Sequence, residues 1–239
     1  MSFLYHTLFF DPLYNTLILL FNLLPPIVDA GMIVILLTIL VRIIIYPLSK
    51  KAVLTQVRMS EIAPSLAEIK EKYKDKAEEQ ARRTLALYRE KGVNPFSGIL
   101  VIIIQIPIIF AMYQIFLYFP EVKSSLLYSF VSVPDHVNTT FLGFLDITAK
   151  SIPLALLAAI STYFQFQIST KGQVKPKGNS FGDNLTRSMQ TQMKYFFPII
   201  VFFISYSVSG AIALYWLTTN LFSIGQEIFV RRKIKTIQA

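Results

Sequence analysis

The sequence predicts an all-α polytopic membrane protein: five transmembrane helices, an amino-terminal interfacial amphipathic helix and a cytoplasmic helical hairpin. Three observations carry that prediction. Of 239 residues, 54% are hydrophobic and only 15% charged, with a mean hydropathy of +0.53; soluble domains carry about 25% charge. Apolar runs of lipid-crossing length recur along the chain. Lysine and arginine gather in alternate connecting segments, which the positive-inside rule assigns to the cytoplasm. The net charge of +9 is read the same way, in preference to a specific nucleic-acid partner. There is no cysteine, so no disulfide framework, thiolate nucleophile or thiolate metal site is expected, and His6 and His136 lack metal-ligand spacing. Without HExxH, GxSxG or P-loop patterns, neither an enzyme nor a cofactor is expected.

The first 25 residues, MSFLYHTLFFDPLYNTLILLFNLLP, lack a positive n-region and are read as no signal peptide. Asp11 and Pro12 suit a helix start, after which Leu13, Leu17, Leu20, Phe21 and Leu24 share a face. An amphipathic helix in the outer interface is expected, with a short spanning helix as the alternative. Ile27 to Leu48 forms the first span, and Lys50 and Lys51 mark its cytoplasmic side. Lys50 to Gly92 carries eleven basic and seven acidic residues. Ile62, Leu66, Ile69 and Tyr73 repeat at helical steps before Asp75, and Leu85, Leu87 and Tyr88 supply apolar positions after it. The pattern predicts a hairpin turning near residues 74–76 and closed by Gly92; the plain reading is a solvated pair of helices with no partner. Phe96 to Phe119 is the second span, interrupted by Gln105 and Pro107. A near-neutral outer loop follows, then a third span over 147–169 with a polar distal half. Residues 170–191 read as a basic cytoplasmic loop. Met193 to Val230, 38 residues, is about 57 Å as one helix, so two short spans are expected, 193–209 and 211–230. The amino terminus is placed outside and the carboxyl terminus in the cytoplasm.

Arg42 stands inside the first apolar run. Insertion scales disfavour an arginine there by about 2.5–3.5 kcal/mol, so something must hold it. Either the guanidinium snorkels toward the headgroups near Lys50, about 12 Å away along the axis, or it faces a hydrated space in the bundle. Thr38, Arg42, Tyr46 and Ser49 fall on one helical face, more polarity than snorkelling requires. Gln105 suits the same groove or a hydrogen bond between helices, the latter being the plainer reading. Of Gln165 and Gln167, two apart, only one can face a groove squarely. Trp216 is either bundle-facing or an interface anchor, and Asn220 adds an amide to the last helix.

Four stretches then carry a resemblance: LVRIIIYPLSKKA around Arg42, EIKEKYKDK with the following LYREKGVNPFSGILVIIIQIPIIFAMY, TYFQFQ, and MKYFFPIIVFFISYSVSGAIALYWLTTNLFSIGQ. In this order the chain resembles the YidC/Oxa1/Alb3 family of membrane protein insertases, in its short five-span bacterial form, from about Phe10 to Arg232. The resemblance implies insertion of single- and double-spanning proteins without nucleotide or metal, in a bacterial plasma membrane. It implies newly made membrane proteins and lipids as partners, with the Sec translocon and the ribosome as further ones. Arg42 resembles the family's groove arginine, Gln165 and Trp216 its facing polar and aromatic positions, and 50–92 its substrate-receiving hairpin. The large periplasmic domain of the long form and the lipidated cysteine of some short forms have no counterpart in this sequence, and nine residues after Val230 are few for a ribosome-binding tail. The rival function is an anion channel or small-solute transporter with Arg42 as its selectivity charge. A second rival is a passive assembly scaffold acting through the hairpin.

Overall fold

A computed structural model describes residues 2–94, 97–171 and 187–238. Helices dominate. The first, α1, runs over residues 2–23, with a π-turn at His6–Phe10 before Asp11–Leu23. The helix therefore does not start at Asp11. Pro12 lacks an N–H to extend a regular ladder, and the wider turn sits immediately before it. Asn15 is buried and functions as a peg. Its amide donates to the Leu126 carbonyl at 3.0 Å and its oxygen accepts from the Tyr128 N–H at 2.7 Å, seating the 120–131 segment on α1.

Ala30–Glu61 forms α2, 32 residues that continue well past the expected end at Leu48. Asp29 caps it, accepting from the Met32 N–H at 2.9 Å. Pro47 lies inside the helix without ending it. A bend at Ile62 leads into α3, Ala63–Lys72, and the turn 73–76 into α4, Ala77–Glu90, which packs on α3. The Gln80 amide donates to the Lys70 carbonyl at 3.1 Å across that turn. Gly92, at φ +60°, takes the left-handed conformation expected of a helix-terminating glycine. On α4, Arg82 and Arg83 each bond Glu79 at 2.9 Å and hold its carboxyl below the usual range. That exposed pairing is present at neutral pH and fades as the pH falls through the lowered value.

The next helix, α5, is Ser97–Tyr118 with Pro107 inside it. The segment after α5 then forms an element the sequence reading missed, a two-stranded antiparallel ribbon of β1 (Thr140–Phe141) and β2 (Leu145–Asp146). Its tip has Leu142 at φ 53° and Gly143 at φ 80°. Asp29 holds the ribbon by accepting from the Leu142 N–H at 3.1 Å. Because Asp146 bonds the Thr148 N–H and hydroxyl, residues 147–150 stay outside the helix. The helix α6 is Ile152–Ser169, capped by Ser151, five residues shorter at its start than expected. Of the expected loop 170–191, residues 172–186 lie outside the described residues. Helix α7 covers 187–208, with a π-turn at Gln192–Phe196 before Phe197–Val208. Ser209 is extended, and α8 is Gly210–Gln238. The division thus falls at Ser209-Gly210, where the Gly210 and Ala211 N–H groups donate to Ala149 and Ile147 at 2.8 Å each.

Among the described residues, two helices, α2 and α6, are long and apolar enough to cross a membrane, and a shorter apolar stretch covers Ile103–Tyr118. The main core joins α1, α2, α5 and the start of α8 through Leu17, Ile33, Leu37, Met112, Phe116 and Ile212. A smaller cluster of Ala158, Val201 and Trp216 joins α6, α7 and α8.

Candidate functional site around Arg42

Helix α2 carries Arg42 on its half-buried side, while Ile43 and Ile44 next to it point outward. Among the described residues Arg42 makes no hydrogen bond and no ion pair. The Tyr215 hydroxyl of α8 lies within electrostatic reach of it. That hydroxyl in turn accepts a 3.1 Å hydrogen bond from the Gln105 amide of α5. Three helices therefore each contribute one group to one spot: a cation, a phenol and an amide. Tyr215 is the residue the sequence reading missed. It lies next to Trp216 in the sequence and is buried at 3% exposure. Its four-residue step to Thr219 was the available signal for a polar face.

The remaining residues divide into two groups. On α2, Thr38 is buried and its hydroxyl donates to the Val34 carbonyl at 2.6 Å. Tyr46 is half-buried one turn below Arg42. Farther down, Ser49 and Gln226 of α8 exchange hydrogen bonds of 2.7 and 3.1 Å. The seam between α6 and α8 takes Asn220 and Trp216. The Asn220 amide donates to the Thr162 and Ser161 hydroxyls at 2.7 and 3.0 Å. Trp216 packs on Ala158 and Val201, its ring 6.3 Å from that of Phe197. Gln165 is half-buried on α6, one turn beyond Ser161 and Thr162. The structure thus brings Gln105 and Tyr215 to Arg42 and gathers Asn220 and Trp216 at the neighbouring seam. Gln114 stands apart, accepting from the Tyr5 hydroxyl at 2.7 Å.

Below the seam, Glu227 is buried and paired with Arg231 at 2.9 Å. Arg231 also donates to the Lys171 and Ser169 carbonyls at 3.1 and 3.3 Å, neutralising the end of α6. Gln56 of α2 bonds the same Ser169 carbonyl. These contacts tie α2, α6 and α8 together at one end. Asn220→Leu, which removes the bonds to α6 with little volume change, is expected to lower stability by about 0.5–2 kcal/mol. Thermal unfolding of the purified protein checks this, and an unchanged midpoint would contradict it.

Comparison with known proteins agrees with this architecture. The family model described as 60Kd inner membrane protein matches residues 23–237. A Clostridium perfringens protein called membrane protein insertase YidC is 31% identical over 195 residues, covering 82% of this chain and 75% of its own. A Clostridium tetani protein of the same name is 28% identical, over 84% of this chain and 81% of its own. The Pelobacter propionicus counterpart is 29% identical over 85% of this chain, which spans only 35% of that longer protein. A solved structure described as an active YidC insertase with its first transmembrane domain resolved shares the fold. Its TM-score is 0.57 at 24% identity, covering 90% of this chain and 45% of the other. The chain belongs to the 60Kd inner membrane protein family, the YidC/Oxa1/Alb3 group of membrane insertases.

Proposed function

We propose that the chain is a membrane protein insertase that receives newly made single- and double-spanning proteins in a hydrophilic groove open to the cytoplasm and to lipid. In this reading α2, α5, α6, α7 and α8 are five spans, with the amino terminus outside and the carboxyl terminus in the cytoplasm. Helix α1 lies in the outer interface, and α3 with α4 forms a cytoplasmic hairpin that first meets the substrate. The charged α3–α4 pair and the basic end of α8 are the surfaces offered to a Sec translocon or a ribosome. The plasma membrane of a bacterium is the expected location.

One observation carries the reading: Arg42 is a half-buried cation without a hydrogen-bond or ion-pair partner among the described residues, beside Gln105 and Tyr215. A cation retained at such cost is available for an acidic group arriving from elsewhere. A substrate's acidic outer tail enters, is attracted in a partly desolvated setting, and has less apolar thickness left to cross. Its hydrophobic segment then partitions into lipid, which supplies the driving force without nucleotide. Tyr46, Gln165, Trp216 and Asn220 are assigned to the walls, and Thr38 to the face that orients Arg42. Depleting the protein in its host and following a single-span substrate with an acidic outer tail tests the proposal. Insertion is expected to fall; unimpaired insertion accompanied by lost solute flux would favour a channel.

A further inference from the structure

We infer that the rim between α6 and α7 binds an anionic phospholipid of the cytoplasmic leaflet, its phosphate on Lys194 and an acyl chain in the adjoining groove. Only the leaflet rests on the topology proposed above. Between the helices lies a groove of about 590 Å³, lined by Leu156, Ile160 and Phe164 of α6 and Pro198, Phe202 and Phe203 of α7. That volume falls in the range of small-ligand sites, about 300–1,000 Å³.

Tyr163 also lines the groove, and a cation stands beside it. The Lys194 ammonium lies 5.8 Å from the Tyr163 ring centroid and 5.0 Å from that of Tyr195. The two rings are 6.2 Å apart, and the Gln167 amide fixes Tyr163 by donating to its hydroxyl at 2.7 Å. The rings position the ammonium by cation–π attraction. Its donors remain available, because Lys194 makes no hydrogen bond or ion pair among the described residues. The π-turn Gln192–Phe196 sets Lys194 and Tyr195 side by side, a distortion often found at functional positions. The charge of the surroundings points the same way: between residues 147 and 226 the sequence has one acidic residue, Asp183, while Lys171, Arg187 and Lys194 are basic. An apolar groove whose Tyr163 stands beside a cation and a second phenol matches an amphiphile with an anionic head.

The test is native mass spectrometry of the purified full chain with dioleoylphosphatidylglycerol or dioleoylphosphatidylcholine added. Preferential retention of phosphatidylglycerol is expected. Lys194→Gln should lower the preference about tenfold, the loss of one charge-assisted contact. Ala159 also lines the groove, and Ala159→Phe, which fills it, should lower retention of both lipids, whereas Lys123→Gln on the outer segment should leave both unchanged. Arg42→Ala should also leave lipid retention unchanged, so failure of the insertase reading and failure of this site are separate results. Equal retention of the two lipids by the parent protein, or Lys194→Gln and Ala159→Phe without effect, would overturn the inference. So would a photo-crosslinker at Phe203 that captures a substrate helix in place of lipid.

Discussion

Arg42→Ala is expected to slow insertion of a single-span substrate with an acidic outer tail by about tenfold or more, and Arg42→Lys to retain most of the rate. The reasoning is electrostatic. Removing a cation from a partly desolvated site withdraws its attraction for a carboxylate, and about 1.4 kcal/mol already corresponds to tenfold. Lysine keeps the charge while giving up the planar fork, so its retention separates simple attraction from geometry-specific pairing. A substrate whose tail is neutral should be slowed less by either change. Loss of folding does not explain such a result, since Arg42 has no hydrogen-bond or ion-pair partner to forfeit among the described residues. The Gln105–Tyr215 bond that links α5 to α8 does not involve it. Insertion energetics even favour alanine at this depth. Protease protection of the substrate's tail, in cells carrying the variant as their only copy, gives the measurement; equal protection for the parent and Arg42→Ala would remove the basis of the groove reading.

Gly31→Val should destabilise the protein by about 2–4 kcal/mol. A side chain built on Gly31 falls on the Phe141 ring and comes within 2.9 Å of Phe141 Cβ, so the obstruction reaches back toward the β1 backbone. The ribbon cannot retreat cheaply. Asp29 holds the Leu142 N–H at 3.1 Å, and the Ala30 N–H donates to the Asn138 carbonyl at 2.8 Å. Moving β1 off the start of α2 breaks both bonds and uncovers apolar surface. Adding Phe141→Ala should return part of the loss by clearing the ring, at the cost of the burial it provides. Thermal unfolding of the single and double variants gives the coupling between the two positions. Additive effects would mean that the close approach does not govern this corner.

Long apolar runs and punctuation made much of the helical order legible. Pro25-Pro26 precedes α2, Gly92 ends the α4 segment at φ +60°, and the Ser209-Gly210 break separates α7 from α8. Helix ends were less legible wherever polar sequence remained helical. Residues 49–61 continue α2 because lysine, alanine, leucine and glutamine are good helix formers in water, and nothing there stops the helix before Ile62. The ribbon went unseen because strands of two residues have no periodicity to detect. Its positions come from Asp29 and Asn138, distant in sequence from one another. At the candidate site, the helical spacing from Arg42 identified its face on α2, and Gln105 was visible as a polar interruption in an apolar run. Tyr215 was not, because only tertiary packing distinguishes a phenol turned into a bundle from one anchored at a lipid interface. Glu227 and Arg231, four apart, were readable as a helix pair, but their reach to Ser169 and Lys171 was not.

The most direct test of the insertase reading uses purified protein in sealed vesicles, with a single-span substrate bearing an acidic outer tail and no nucleotide. Substrate protection and chloride flux are followed in the same preparation. Protein-dependent protection of the tail, lost in Arg42→Ala and without chloride flux above empty vesicles, is the predicted result. Chloride flux that depends on Arg42, with no gain in substrate protection, would contradict the insertase reading and support the channel.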